Sequence, residues 1–409
     1  MKHHKIHIQF KLVALLAFAT IQSVSHAQTH SSIDGQSYRP ISLEEFLGQV
    51  ESTSGAITAK KLSADSVSAQ KSYMSTPNIN PSFTYSRGAY TGHQPYSTYV
   101  SPGSNTYSLS ATIEGWGKRS ARSAYNAAEI ERTQADLDST VKLMRGDAAF
   151  AYFDTLRLVK LYSSYQKTID KLKTLKASSS SDTLLDAQKN TISDLKYFAY
   201  TMGAFVGNSS ETLLEPTGNL EKINTRDFKV GTLLEQALSQ RVDLIYLNQA
   251  VNSANAALEL AKKNRNVNLS PSVWVAQTPP YVSSGTQYSF TSTYGLSVTV
   301  PIPTNLLFDN DLVQAVNDRD TLNAYLRDLK ARVVAEVNQA LMQYKLAKSK
   351  LEDEQKDYAT SLKSNSNSTA ASILFMRGKE AELIDAQINH AKALIYLLRV
   401  SGDYEVPKI

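Results

Sequence analysis

The sequence contains an internal duplication, and this feature constrains the fold more than any other. Each copy places two short alternating segments between a shorter and a longer helical segment. The matched positions, about 190 residues apart, are Leu43 and Leu233, Pro81 and Pro271, Tyr152 and Tyr344, and the segments 184–188 and 383–387. A duplication of this size without a catalytic constellation favours an assembly built by symmetry over an enzyme with an active-site cleft.

The N-terminus predicts export. Three lysines precede an apolar run from Leu12 to Ile21, and Ala27 ends a small-x-small motif of the kind that precedes signal cleavage. The run is too short to span a bilayer. We therefore interpret residues 1–27 as a signal peptide that is cleaved before Gln28, and a buried N-terminal helix is the alternative that these flanks disfavour.

Composition limits the partners of the exported chain. Removal of the three lysines lowers the formal net charge from +5 to +2, because no acidic residue is lost with them. A nearly neutral chain gives no reason to predict a nucleic-acid partner. The sequence has no cysteine, which excludes disulfides and an N-terminal lipid on residue 28. Since no later apolar stretch is long enough for a transmembrane helix, membrane attachment has to come from the fold itself.

Two long segments, 118–176 and 312–363, carry apolar residues at heptad spacing, as supercoiled neighbouring helices require. The first seam contains Leu137, Val141, Met144, Ala148, Ala151, Thr155, Leu158, Tyr162, Tyr165, Ile169 and Leu172. The second seam contains Leu322, Leu326, Leu329, Val333, Val337, Ala340, Tyr344, Ala347, Leu351 and Tyr358. Because most coiled coils are structural, a simple rod remains an alternative at this point.

Each copy also carries two predicted strands, joined by loops at 88–106 and 279–291. Their side chains alternate between apolar and polar with a period of two, as in outer-membrane barrel strands of about ten residues. The residues predicted to face lipid are Tyr107, Leu109, Ile113, Tyr294, Leu296, Val298 and Val300. A small soluble sheet with one wet face has the same period, so alternation alone does not separate the two.

Chain length and strand number favour the membrane. Four strands cannot close a barrel, and lipid does not tolerate an open sheet edge, whereas three copies give an even-numbered barrel of twelve strands. Stacked end to end, the short helices 43–75 and 184–206 have about the same total length as the long helix 118–176, roughly 80–90 Å. The segments 232–264 and 373–400 do the same beside 312–363. Three chains would then supply twelve helical columns, enough to enclose a tunnel.

These features together carry a family resemblance. The residues concerned are the segments 234–238 and 241–244, the strand-opening Pro81 and Pro271, the Val-Pro-Ile-Pro of 300–303, and the two Asp-Ala-Gln stretches. In their order and spacing the chain resembles the TolC-type outer-membrane efflux proteins over essentially all of its mature length. The resemblance implies a homotrimer with a twelve-stranded barrel among outer-membrane lipids, continued by a helical barrel in the periplasm. It also implies docking with a periplasmic adaptor and an inner-membrane pump.

Three features depart from the usual family pattern. The helices after Asp186 and Asp385 are shorter than in most members, and the serine run 178–181 stands where a glycine-containing turn is more usual. The first copy leaves its strands through Glu114-Gly115-Trp116-Gly117 instead of a Pro-x-Pro motif. The shorter helices and the serine run concern the end of the molecule where the adaptor would dock, and none of the three departures changes the expected architecture.

Two turns interrupt the heptad seams, at Ser178–Asp182 and at Asn365–Ser368, and we expect both at the end of the tunnel farthest from the membrane. The residues predicted to contact the pump assembly there are Ser179, Ser180, Asp182, Asn365, Ser366 and Asn367. Ordinary turn chemistry explains the same residues equally well.

The search for an active site identifies no catalytic, cofactor-binding or metal-ligating residues. The histidines beyond the predicted signal, His30, His93 and His390, are scattered, and no glycine-rich loop can cradle a phosphate. The matched Asp186 and Asp385 are predicted to be solvated or tip-lining acids. For the two tryptophans, at 116 and 274, interface anchoring and ordinary packing both remain open.

We therefore predict a mainly α fold with a small β part, in which long antiparallel coiled-coil helices form a trimeric α-barrel and four strands per chain form the β-barrel. The expected divisions are a signal peptide (1–27), an N-terminal extension (28–42) and two structural repeats (43–220 and 221–409). The predicted function is a passive exit duct, and a structural coiled-coil envelope protein without a conduit is the alternative. The sequence does not distinguish drugs, metal ions, lipids and polypeptides as cargo.

Overall fold

A computed structural model describes residues 31–33, 36–88, 91–94, 97–100, 103–176, 178–207, 213–223, 225–283, 285–301, 310–364 and 369–407. The predicted signal peptide and the predicted tip residues Asn365, Ser366 and Asn367 lie outside this part of the chain. Within it the fold is mainly α with a small β part, as the sequence predicts.

The two halves of the described chain share one order of helices and strands, and the first half has β1, β2, α3 and β7 in addition. The first half contains β1 (Ser31–Ile33), β2 (Gln36–Ser42), α1 (Leu43–Thr53), α2 (Gly55–Ala69), α3 (Lys71–Ser75), β3 (Ile79–Gly88), β4 (Thr91–Gln94), β5 (Ser97–Val100), β6 (Ser104–Ile113), α4 (Lys118–Thr174), α5 (Ser178–Phe205) and β7 (Leu213–Thr217). The second half contains α6 (Val230–Gln240), α7 (Val242–Asn264), β8 (Ser270–Thr278), β9 (Tyr281–Ser283), β10 (Thr286–Tyr288), β11 (Thr291–Thr299), α8 (Asn310–Ser364) and α9 (Ala370–Ser401).

The two long helices are the main columns of the molecule. α4 has 57 residues and α8 has 55, so each is about 80–90 Å long. Every residue of the two predicted seams is buried or half-buried, which confirms the heptad pattern. α4 packs against α2 and α5 and also against α7 and α9, whereas α8 packs against α7 and α9. Among the described residues, no helix is long and apolar enough to cross a bilayer.

The short helical segments are not continuous, contrary to the prediction for 43–75 and 232–264. Ser54 separates α1 from α2, and Arg241 separates α6 from α7, both in extended backbone with ψ of 121° and 124°. Ion pairs stabilise the break at Arg241, because its guanidinium pairs with Asp243 and, at 2.6 Å, with Glu336 of α8. A further break at Gln70 separates α2 from α3.

The turn predicted at Ser178–Asp182 is also misplaced. α5 already begins at Ser178, and the preceding turn contains Leu175 and Lys176, the latter with a φ of 56°. Serine suits the N-terminal end of a helix as well as a turn, because its hydroxyl can satisfy free backbone N–H groups there. A run of serines therefore does not locate the boundary between the two.

A small sheet that the sequence does not predict joins the N-terminal extension to the segment between the two halves. β2 pairs in parallel with β7 and antiparallel with β1. Tyr152 of α4 fastens this sheet, because its hydroxyl donates to the carbonyl of Ile41 and accepts the N–H of Thr217, both at 3.0 Å. The matched Tyr344 of α8 contacts the backbone of Arg226 in the same way, at 2.7 and 3.0 Å.

Ion pairs at heptad spacing join the two halves along α4 and α9. The pairs are Asp147 with Arg399 at 2.6 Å, Asp154 with Lys392 at 2.8 Å, and Arg157 with Asp385 at 2.6 Å. Asp385 thus has a structural partner, whereas the matched Asp186 is exposed and, within the described part of the chain, pairs only with Lys189, one turn away. Neither contact resembles an acid–base site.

One titratable side chain lies in the core between α8 and α9. His390 is 0% exposed, and its ring centroid lies 5.4 Å from that of Tyr344. Neither ring nitrogen has a hydrogen-bond partner within the described structure. Burial lowers the pKa of His390, and Lys348 lowers it further, while Glu352 opposes the shift. The imidazole is therefore neutral in the folded protein at pH 7.

This burial predicts a specific acid sensitivity. Below about pH 6.5 the unfolded chain binds a proton at His390 that the folded chain does not, so stability is lost as the pH falls. We expect His390→Leu to remove this contribution to the pH dependence and to stabilise the protein by about 1–3 kcal/mol at neutral pH. Thermal melting of both proteins in detergent between pH 5 and pH 8 measures the difference. Parallel pH profiles would contradict the prediction.

Candidate functional site

The four longer strands form one antiparallel sheet in the order β11-β8-β6-β3. β3 begins at Ile79, two residues before the predicted strand-opening Pro81, and β11 ends at Thr299, one residue before the predicted lipid-facing Val300. Because each neighbour is antiparallel, the two outer strands, β3 and β11, run in opposite directions. Within the described chain each of them pairs on one side only, so the sheet has two open edges.

One face of this sheet is apolar and is organised in rows across the strands. The rows are Tyr85, Tyr107, Val275 and Tyr294; then Phe83, Leu109, Val273 and Leu296; then Pro81, Ala111, Pro271 and Val298; and finally Ile79, Ile113 and Leu269. Tyr294 and Leu296 are 81% and 83% exposed. Four rows two residues apart span about 20 Å along the strands.

The structure brings the predicted lipid-facing residues together on this face. Tyr107, Leu109, Ile113, Tyr294, Leu296 and Val298 all belong to its rows, and Val300 follows the end of β11 and is also exposed. The first row is rich in tyrosine, and beyond it comes a polar row with Arg87, Asn105, Gln277 and Ser292. The hydroxyl of Tyr85 donates to Asn105 Oδ1 at 3.1 Å and so links the two. Which medium covers the face stays a prediction.

The opposite face is polar and, among the described strand residues, carries no charged side chain. It consists mainly of serine and threonine, and hydroxyls meet across neighbouring strands. The hydroxyl contacts are Ser82 with Ser110 and Ser272 with Ser297, both at 2.6 Å, and Thr112 with Ser270 at 3.1 Å. Trp274 is the only large side chain on this face of the described strands.

Pro81 and Pro271 lie where the sheet does not need a backbone N–H for a ladder hydrogen bond. Pro81 lies in the outer strand β3, where the missing N–H does not break an inner ladder. Pro271 lies in the inner strand β8. The β6–β8 ladder includes Ser272 but not Pro271, and on the other side of the proline the two segments pair again through an isolated bridge between Ile113 and Leu269.

A network of side chains fixes the sheet onto the helices where β6 passes into α4. Arg122 of α4 forms an ion pair with Glu114 and also donates to the carbonyls of Met74 at 3.1 Å and Thr76 at 2.9 Å. Burial alone would raise the pKa of Glu114, but the hydrogen bonds from Arg122 and from the N–H of Asn78 outweigh burial and lower that pKa. The carboxylate therefore stays charged and holds the junction.

The glycines of this junction are required by space and backbone angle. A Cβ at Gly115 would lie 2.7 Å from the carbonyl oxygen of Val267, and Gly117 has a φ of +80°. This explains the Glu-Gly-Trp-Gly sequence, which replaces the Pro-x-Pro of the second copy. Trp116 between them is 91% exposed, so packing within this chain does not account for it.

Comparison with known proteins identifies the architecture. No protein-family model matches the sequence, and no curated protein sequence matches it. Solved structures do match, at 11–14% identity. CusC covers 88% of this chain and 92% of its own length with a TM-score of 0.64. The CmeC outer-membrane channel of Campylobacter jejuni covers 88% and 85% with a TM-score of 0.63. The MtrE outer-membrane channel of Neisseria gonorrhoeae, in its open state, covers 88% of both chains with a TM-score of 0.62.

This chain has the fold of outer-membrane channels. The predicted mainly α fold with a small β part and the family resemblance are confirmed at the level of architecture, whereas the trimer and the two closed barrels stay predictions. At such low identity the comparison concerns the fold alone. The further conclusions depend on the chemistry of this chain.

The channel fold leaves apolar side chains exposed at both lateral borders of the helical part. On α8 they include Tyr325, Met342 and Leu346, of which Met342 is 73% exposed. On the other border they include Leu62 of α2 and Tyr197 of α5, the latter 68% exposed. α4 and the column made of α7 and α9 are each flanked on both sides and are the two inner columns of the described chain.

The predicted tip residues that the structure describes, Ser179, Ser180 and Asp182, follow the end of α4 that is farthest from the sheet. α4 begins directly after the junction and runs about 85 Å before the turn at Leu175. Ser179 and Ser180 lie in the first turn of α5, and Asp182 is exposed in the next turn. In the described residues no three His, Cys, Asp or Glu side chains converge to form a metal site.

Proposed function

We propose that the protein is the outer-membrane channel of a tripartite efflux or secretion system and acts as a passive exit duct. The observation that carries this proposal is the sheet, which has one apolar face, one uncharged polar face and two open antiparallel edges. A barrel in an outer membrane needs lipid outside and water inside, and this sheet has a face for each.

The two open edges complement each other. Since β3 and β11 run in opposite directions, β11 of one copy can pair with β3 of the next and continue the antiparallel sheet. Repetition of one such head-to-tail contact closes a ring. Three copies give a barrel of twelve strands, an even number as in other bacterial barrels, without a free edge in lipid.

The helical borders support the same ring. Exposed apolar side chains lie on α8 at one lateral border and on α2 and α5 at the other, so a neighbouring copy on each side would cover apolar surface there. Three copies of the four helical columns would then surround a tunnel. A trimer buries both borders with one type of contact, as heterologous assembly requires.

The alternative function, a coiled-coil envelope scaffold without a conduit, needs the apolar face inside a soluble core. Within the described chain no element packs on this face, and side chains of its inner strands stay exposed, with Leu109 at 53% and Val273 at 46%. The scaffold also gives no role to a polar face that is free of charge. We therefore favour the duct.

The proposed partners follow from the passive character of the duct. An inner-membrane pump would supply the energy, and a periplasmic adaptor would join the pump to the far end of the helices. Asp182, Ser179 and Ser180 lie at that end, and the second long helix, α8, also ends there, at Ser364.

Fractionation and conductance test the proposal. We expect the mature protein in the outer-membrane fraction as detergent-requiring, heat-modifiable trimers that form water-filled pores in planar bilayers. A soluble periplasmic species, or membrane trimers without conductance, would refute the duct.

The two faces of the sheet predict opposite sensitivities to charge. Leu109→Arg and Val298→Arg should block insertion, because arginine on the lipid face costs roughly 2–4 kcal/mol at mid-bilayer. The matched changes one residue along each strand, Ser110→Arg and Thr299→Arg, should leave trimers in the outer membrane. Trimer yield in outer-membrane fractions distinguishes these outcomes, and equal loss from both faces would show that the assignment of the faces is wrong.

Substitutions at the far end of the helices should abolish export without affecting assembly. Ser180→Trp and Ser366→Trp should abolish export, because a bulky ring at the docking end blocks contact with the adaptor, while trimers and insertion remain. Ser180→Ala and Ser366→Ala serve as matched controls and should retain export. Cargo efflux and trimer content are measured on the same cells. Undiminished export by both tryptophan variants would place docking elsewhere on the helices.

A further inference from the structure

We propose that Trp274 forms an aromatic contact site inside the duct for planar aromatic cations. The inference rests on the proposed function, because it takes the polar face of the sheet as the lining of the pore. It adds a residue that selects among the molecules that pass.

The position of Trp274 follows from the register of the sheet. Its neighbours across the strands are Ser108 of β6 and Gly295 of β11, both on the polar face. The apolar rows with Val273 and Val275 point the other way. A tryptophan in mid-strand on a face of serine and threonine is not needed for contact with lipid, so its place there requires a separate explanation.

Gly295 makes room for the indole. A Cβ at position 295 would lie 2.6 Å from Cζ2, 2.7 Å from Cε2 and 2.9 Å from Nε1 of Trp274. The indole therefore extends from β8 across β11 and occupies the space above the glycine. The pair holds the ring beside the sheet, and the ring stays half-buried, with part of its surface open on the polar face.

The surroundings decide which ligand suits the ring. The described strand residues of this face carry neither acid nor base, so they offer no ionic partner to an anion. Serine and threonine hydroxyls supply hydrogen bonds to polar groups of any molecule. An aromatic cation would make two favourable interactions with Trp274, because its rings stack on the indole and its charge is attracted by the π-face. In the trimer three such rings lie at the same level of the pore.

Channel block tests the proposal directly. N-methylacridinium, a planar aromatic cation, is added to pores of the full-length mature protein in planar bilayers, with tetraethylammonium and 2-naphthalenesulfonate as comparisons. We expect acridinium to block at a concentration about tenfold lower than the other two. Trp274→Ser should weaken the acridinium block by about tenfold, which corresponds to about 1.4 kcal/mol, and should leave the other blocks unchanged. Trp274→Phe should retain part of the effect.

A fluorescence measurement does not depend on conductance. The sequence has two tryptophans, so Trp116→Phe leaves Trp274 as the only indole. Its emission should be quenched by N-methylacridinium with a saturable dependence, and Gly295→Ala, which displaces the ring, should weaken that quenching.

The outcomes separate this inference from the proposed function. Equal acridinium block in the wild type and in Trp274→Ser would overturn the contact site and leave the duct intact. Absence of pores in all variants would overturn the duct, and the quenching data would then decide on the contact site alone. Quenching that does not saturate, or that Gly295→Ala leaves unchanged, would overturn it.

Discussion

The packing of α4 between helices on both of its sides is the contact on which the rest of the structure depends. α2 and α5 lie along one side of this helix and α7 and α9 along the other, so α4 joins the two halves into one sheet of helices. Seam residues such as Ala148 and Leu172 are fully buried, and ion pairs such as Asp154 with Lys392 fix the register against α9. Burial of apolar side chains supplies the stability here, and these half-exposed pairs contribute mainly alignment. An aligned wall of this length carries the strand sheet at one end and the turns at the other.

The periodic parts of this fold could be predicted from the sequence because periodicity is itself the physical requirement. A heptad seam predicts α4 and α8 within two residues, and alternation predicts which strand residues share a face. The breaks at Ser54 and Arg241 could not be predicted in this way, because extended backbone there depends on contacts with another helix, such as that of Arg241 with Glu336. The pairing of β2 with β7 joins segments far apart in the chain, and short irregular segments carry no periodic signal. The serine run shows a third limit, since the same hydroxyl suits a turn and the start of a helix.

The duplication places the same chemical solution at two positions, and the differences between the copies are equally informative. Tyr152 and Tyr344 both fasten a connecting segment to a long helix through one hydroxyl. Tyr344 also lies against the buried His390, five residues after Asp385. The first half has no such histidine, because the residue five positions after the matched Asp186 is Thr191. The acid-sensitive group therefore lies in only one of the two halves, between α8 and α9. Loss of packing there at low pH would loosen the helix that forms a lateral border of the chain.

The sheet connects this helical framework to the proposed function through the difference between its two faces. Its apolar face ends in a row rich in tyrosine next to a polar row, and its other face is uncharged across the described strands. An uncharged wet face neither attracts nor repels ions strongly, so the wall itself imposes little selection by charge. Selection in such a duct has to come from the partner that loads it or from isolated features of the wall. Trp274 above Gly295 is such a feature, because it is the one large side chain that the described strands direct to the polar face.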